Sequence, residues 1–133
     1  MKKTVLIAVL AVGLFLSACG GADETQEPAS WRTISAEEAM QLMSDTPGFI
    51  LVDVRTEQEY QEAHIEGAVL IPDSDIETLA ESMLPDKDAT ILLYCRSGVR
   101  SAGAAATLAG MGYTNIYDFG GIMNWPYGTV SVP

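Results

Sequence analysis

Histidine occurs once, at His64, and cysteine twice, at Cys19 and Cys95. Two cysteines cannot build the disulfide framework of a small exported domain. One histidine and a spare thiol fall short of the nitrogen and sulfur ligands that a structural zinc takes, and no run of carboxylates has the spacing of a calcium loop. No metal or other cofactor is therefore expected. A papain-type hydrolase is disfavoured as well, because its thiol needs a histidine base and nothing nearby aims His64 at Cys95. Beside Ile65 and Gly67, His64 reads as structural, bonded to backbone through a ring nitrogen.

Basic residues are scarce: 7 Lys and Arg stand against 18 Asp and Glu, a formal charge of −11. Such a surface repels nucleic acid and anionic lipid, so neither is an expected partner. The longest apolar run, Val5 to Leu16, is shorter than the roughly 20 residues of a membrane span. Hydrophobic residues make up 48% of the chain and charged ones 19%, a balance that can bury a core and is unlike that of disordered segments. At 133 residues there is room for one domain, and a monomer is expected.

Lys2 and Lys3 ahead of the Val5–Leu16 run form the charged and apolar regions of a signal peptide. The four residues that follow, Leu16-Ser17-Ala18-Cys19, are similar to a bacterial lipobox, in which the cysteine becomes the first mature residue and carries lipid. An ordinary cleavage site, or an uncleaved anchor extended through Ala18, are the alternatives. The expected organisation is a leader over 1–18, a lipidated Cys19 with a flexible polar tether over 19–30, and a folded domain over 31–133. The protein would be exported and held to a membrane surface facing the periplasm or the cell exterior. Loss of the two leader lysines leaves five cations against eighteen acids, a balance of −13.

Within the domain, Ser35 and Glu38 stand in capping-box relation before an apolar helical face of Ala39, Met40, Leu42 and Met43. Pro47-Gly48 stops that helix, and Phe49–Val54 reads as a strand buried on both faces. Thr56 and Glu59 form a second capping box. Ala68–Ile71 is a short strand closed by Pro72, and Asp75 is positioned to cap a helix running through Leu84. Thr90–Tyr94 is the clearest buried strand. The loop Cys95-Arg96-Ser97-Gly98-Val99-Arg100-Ser101 follows, then an alanine-rich helix over Ala102–Met111 ended by Gly112. Asn115–Phe119 gives a last strand, with Gly120-Gly121 as a break. Alternating strands and helices imply a parallel sheet with helices on both faces, and a site at the carboxyl ends of its strands.

Cys95 falls at such an end. If Cys19 is acylated, Cys95 is a single thiol without an intramolecular partner. Backbone N–H groups of the following turn, the start of a helix, and Arg96 and Arg100 all favour its thiolate, so a nucleophile near neutral pH is expected; an inert core cysteine is the plainer alternative. Cysteine phosphatases place five residues between nucleophile and phosphate-binding arginine. Here four separate Cys95 from Arg100, a cradle better sized for one sulfur atom than for a phosphate.

Four segments in order, from about Ile34 to Tyr127, resemble a single rhodanese domain: Asp53-Val54-Arg55 with Glu59-Tyr60; His64-Ile65-Glu66-Gly67-Ala68 with Pro72; the loop Cys95 to Arg100; and Gly120-Gly121-Ile122 with Trp125. The resemblance implies a rhodanese-like α/β fold with a five-stranded parallel sheet. It also implies a sulfurtransferase that moves a sulfane sulfur from a donor such as thiosulfate to a thiol or cyanide through a persulfide on Cys95. Amides of Arg96, Ser97, Gly98, Val99 and Arg100 would hold the thiolate and persulfide, and Arg96 and Arg100 the anionic donor. Asp53, Arg55 and Glu59 would form a buried structural charge network. Ser97 stands where thiosulfate-specific two-domain members usually carry Lys, which suggests another natural donor. A persulfide-sensing or binding module without efficient turnover, and a phosphatase or arsenate reductase, are the rival readings.

Overall fold

The computed structural model describes residues 30–133; the leader, Cys19 and nearly all of the tether lie outside the described residues. The chain runs β1 (Trp31–Thr33), α1 (Ala36–Asp45), β2 (Ile50–Asp53), α2 (Glu57–Glu62), β3 (Val69–Leu70), a 3-10 turn (Asp73–Asp75), α3 (Ile76–Met83), β4 (Thr90–Cys95), α4 (Val99–Gly110), β5 (Asn115–Gly121) and a final 3-10 turn (Ile122–Asn124). Both capping boxes form: Ser35 Oγ accepts from the Glu38 N–H while Glu38 accepts from the Ser35 N–H, and Thr56 and Glu59 do the same at α2. These reciprocal bonds satisfy donors that a helix start otherwise leaves free.

Three local expectations are corrected. Asp75 makes no side-chain cap to α3; a 3-10 turn begun at Pro72 leads into that helix instead. The last helix begins at Val99 rather than Ala102. Gly120 and Gly121 do not break β5, which continues through both.

The five strands form one sheet in the order β1-β5-β4-β2-β3, every pair parallel. Side chains alternate across it. Val52 of β2, Val54 just after it, and Ile91, Leu93 and Cys95 of β4 face α3 and α4, where they meet Ile76, Ala80, Ala104, Ala105 and Leu108. Leu51, Leu92 and Tyr94 face the other way, against Ala39 of α1 and the Phe119 and Trp125 rings. Helices therefore cover both faces, and β4, buried along its whole length after Thr90, is the middle strand. From β2 the chain moves outward to β3, and from β4 it moves the opposite way to β5. The sheet's switch point thus lies between the carboxyl ends of β2 and β4, where open α/β sheets have their crevice.

Candidate active site

Cys95 closes β4 with its side chain on the α4 face, because it shares the period-two phase of Ile91 and Leu93. The chain then has only Arg96-Ser97-Gly98 in which to turn into α4. Gly98 takes φ +111° at the N-cap, a conformation that suits only glycine. That turn folds the loop around the sulfur: the Gly98 N–H donates to Cys95 Sγ at 3.0 Å and the Ser101 hydroxyl reaches it at 3.4 Å. The residue is only 1% exposed. Burial pushes the Cys95 thiol pKa up, but hydrogen bonds from the Ser101 hydroxyl and from the amides of Ser101, Gly98 and Ser97 outweigh it, and the net shift is downward.

The far end of β5 braces this loop. The β4/β5 register slips between Leu93 and Cys95, so that Cys95 lies opposite Gly121. A Cβ on Gly98 would stand 3.3 Å from Gly120 Cα, and one on Gly121 would overlap the Arg96 carbonyl. Glycine at these positions is what lets two stretches of backbone approach so closely.

A cavity of about 250 Å³ beside the loop is lined by Arg55, Glu59, Glu62, Ala63, Arg96, Ile122 and Met123. Arg96 and Ser97 are exposed, and among the described residues Arg96 makes no ion pair. A larger cavity, about 360 Å³, lies among Met40, Met43, Ile65, Trp125, Tyr127 and Val130 and touches no residue of the cysteine loop, whereas the smaller one reaches Arg96.

Residues 35–126 match the rhodanese-like domain family. The chain belongs to it. Among curated relatives, the thiosulfate sulfurtransferase PspE of Escherichia coli is 37% identical over 71 residues, covering 53% of this chain and 68% of that protein. A tRNA uridine(34) hydroxylase of Photorhabdus laumondii is 32% identical over 108 residues, but this chain spans only 31% of its length. Among solved structures, a rhodanese with anions from E. coli superposes with a TM-score of 0.59 at 33% identity, over 62% of this chain and 96% of that one.

In this rhodanese-like domain Asp53, Arg55 and Glu59, expected to form one buried network, divide between two separate ion pairs. Arg55 grips Asp53 through two nitrogens, Nε at 3.0 Å and Nη2 at 2.6 Å, and both residues are buried. Arg55 also donates to the Ala63 carbonyl, and the Tyr94 hydroxyl donates to Asp53 while accepting from the Ile65 N–H. This pair locks the segment after α2 onto the sheet. Glu59 belongs elsewhere: it meets the Arg100 guanidinium in a bidentate pair with both distances 2.8 Å. Hydrogen bonding from Arg100 is the main reason that the Glu59 carboxyl pKa is lowered to about 2. The Arg100 charge, expected to face a donor, is thus already engaged.

His64 stacks on Tyr60 with ring centroids 3.8 Å apart, its Nδ1 lies 2.8 Å from the Tyr60 carbonyl, and its backbone exchanges two hydrogen bonds with Val130. It ties down the C-terminal segment and is built as a structural residue. Gly67, at φ +83°, makes the turn in which the Ala68 N–H donates to the Ile65 carbonyl.

Sequence reasoning gave Ser101 no role. A signal was present: Ser101, Ala104, Ala105 and Leu108 fall at one helical face and are all buried, so a hydroxyl heads an otherwise apolar stripe. A polar group placed there needs a partner, and the partner is the sulfur.

Proposed function

We propose that this protein is a sulfurtransferase, the activity that the name of its PspE relative gives for that protein, and that it carries a sulfane sulfur on Cys95. The observation that supports this best is the buried Sγ held by a glycine N–H and a serine hydroxyl, with its pKa lowered. The Cys95 thiolate attacks the outer sulfur of a donor such as thiosulfate; the donor's S–S bond breaks and sulfite leaves with the electron pair. A thiolate or cyanide then attacks the outer sulfur of the Cys95 persulfide, and Sγ leaves as thiolate. Both steps are displacements at sulfur, need no cofactor and end with the enzyme unchanged.

The cavity at Arg96 is the approach to that sulfur, with Arg96 as the cation for an anionic donor and Ile122 and Met123 as an apolar wall. Four residues between Cys95 and Arg100 give a loop suited to one sulfur, which favours this reading over a phosphatase. The protein works as a monomer, exported and held at a membrane surface by lipid on Cys19.

Intact-mass measurement of the purified protein before and after thiosulfate tests the chemistry. The expected result is a gain of one sulfur atom that is lost on adding cyanide or a thiol and absent in Cys95→Ser. No gain from thiosulfate or any other sulfane donor, or phosphatase turnover abolished by Cys95→Ser, would overturn the proposal.

A further inference from the structure

The structure assigns Ser101 a catalytic role of its own: we propose that its hydroxyl proton follows the charge on Cys95 and stabilises Sγ as the leaving thiolate when the persulfide is discharged. This rests on the sulfurtransferase reading. Ser101 is fully buried, and its Oγ lies 3.4 Å from Sγ, 3.2 Å from the Gly98 carbonyl and 3.3 Å from the Gly120 carbonyl. One hydroxyl has one proton to donate, so three acceptors compete for it. While Sγ is anionic it is the strongest of them, because a charge-assisted hydrogen bond is about twice as strong as a neutral one. Once Sγ carries the second sulfur, the negative charge sits on the outer atom and Sγ is a neutral, weak acceptor. The proton then turns to a carbonyl. Both carbonyls lie within reach, so the buried hydroxyl is never left without a partner, and the reorientation carries no desolvation penalty.

This arrangement favours thiolate over persulfide, and so acts with opposite sign on the two halves of the reaction. In the donor step Sγ begins as the anion and loses charge, so the Ser101 bond stabilises the starting state more than the transition state. In the acceptor step charge returns to Sγ as the S–S bond breaks, so the same bond is made in the transition state and lowers the barrier. Of the charged groups near Cys95, Arg100 is paired with Glu59 and Arg96 is exposed on the loop; the β5 residues on the opposite side, Gly120 and Gly121, carry no charge. Ser101 is therefore the movable element.

Single-turnover kinetics on the wild type, Ser101→Ala and Ser101→Thr test this, together with iodoacetamide alkylation of Cys95 against pH. Ser101→Ala should raise the alkylation midpoint by about one pH unit, the equivalent of a tenfold preference for thiolate. At a pH above both midpoints, sulfur uptake from thiosulfate should be unchanged or faster in Ser101→Ala, while discharge of the preloaded persulfide to a thiol slows about tenfold. Ser101→Thr, which keeps the hydroxyl, should restore discharge. Equal slowing of uptake and discharge in Ser101→Ala, or an unmoved alkylation midpoint, would overturn the proposal whether or not the threonine variant folds. A wild type with a low alkylation midpoint that takes up no sulfur would sink the sulfurtransferase reading instead, and with it the leaving-group role.

Discussion

Gly121 and Arg96 are in backbone contact: a Cβ on Gly121 would overlap the Arg96 carbonyl oxygen and stand 2.7 Å from Ser97 Cα. The end of β5 is thus the floor on which the cysteine loop is laid. Gly121→Ala must push that loop outward, misaligning the amides around Sγ. Sulfur uptake should fall at least tenfold, a barrier change of ~1.4 kcal/mol, with a lowered melting temperature. Gly103 provides the contrast. It lies inside α4 with open space where a Cβ would go, so Gly103→Ala should stabilise by ~0.5–1 kcal/mol and leave uptake unchanged. Thermal melts and a mass-based uptake assay on both variants check this.

That contact also shows where the sequence stopped being legible. Strands β2 and β4, the capped helices and the position of Cys95 are written in local pattern: apolar runs, Ser35 with Glu38, Thr56 with Glu59. Features that depend on distant partners are not. Trp31–Thr33 is three residues long and is a strand because Ile116–Asp118 lies beside it. Gly120-Gly121 reads as a break because glycine usually weakens strands, whereas here its missing Cβ admits the loop. The resemblance groups Glu59 with Asp53 and Arg55, but its partner Arg100 comes from another element, 41 residues away.

Tyr94 couples the sheet to the segment after α2, donating to Asp53 Oδ2 at 2.7 Å and accepting from the Ile65 N–H at 3.0 Å, all of it buried. Tyr94→Phe keeps the ring and leaves that amide and carboxylate each one bond short. The expected cost is ~1–3 kcal/mol, read as a shift in the denaturant midpoint with unchanged slope.

Cys19 lies outside the described residues, and its lipidation is tested directly. Expressed with its own leader, the protein should sediment with membranes and be released by detergent, and Cys19→Ser should remain soluble without N-terminal acyl groups. Unchanged membrane association and acylation in Cys19→Ser would remove the anchor from the proposal.

The Glu59–Arg100 pair predicts a particular acid response. Its carboxyl pKa is about 2 in the folded protein against an ordinary 4.5. Because the folded value is the lower one, the stabilisation is fully present above about pH 4.5 and is lost as pH falls through about 2. The Glu59 and Arg100 side chains are 26% and 30% exposed, and water around them reduces the pair's worth to ~1 kcal/mol. Glu59→Gln should therefore be less stable than the wild type by about that amount at pH 7, and the two stability curves should converge in acid. A gap that persists unchanged down to the lowest pH at which both fold would show that the charge of Glu59 is not what stabilises.

Electrostatics of donor capture follow from the same pair. With five cations against eighteen acids over residues 19–133, the distant field of the protein repels a dianionic donor, and Glu59 cancels the nearby charge of Arg100. Arg96, exposed at the cavity and without an ion pair among the described residues, is the cation that remains. Over a Debye length of ~8 Å at physiological ionic strength, salt screens the remote acids more than a charge in contact with the donor. Uptake from thiosulfate by the wild type should accordingly rise, or at least not fall, as salt is added from low levels. Arg96→Ala should lower it about tenfold and steepen the positive salt response, since mainly repulsion is left. Glu59→Gln should act oppositely, freeing Arg100 to raise uptake at neutral pH and low salt. A wild-type rate that falls steeply with salt, with Arg96→Ala and Glu59→Gln both matching it, would place donor capture at some other basic site.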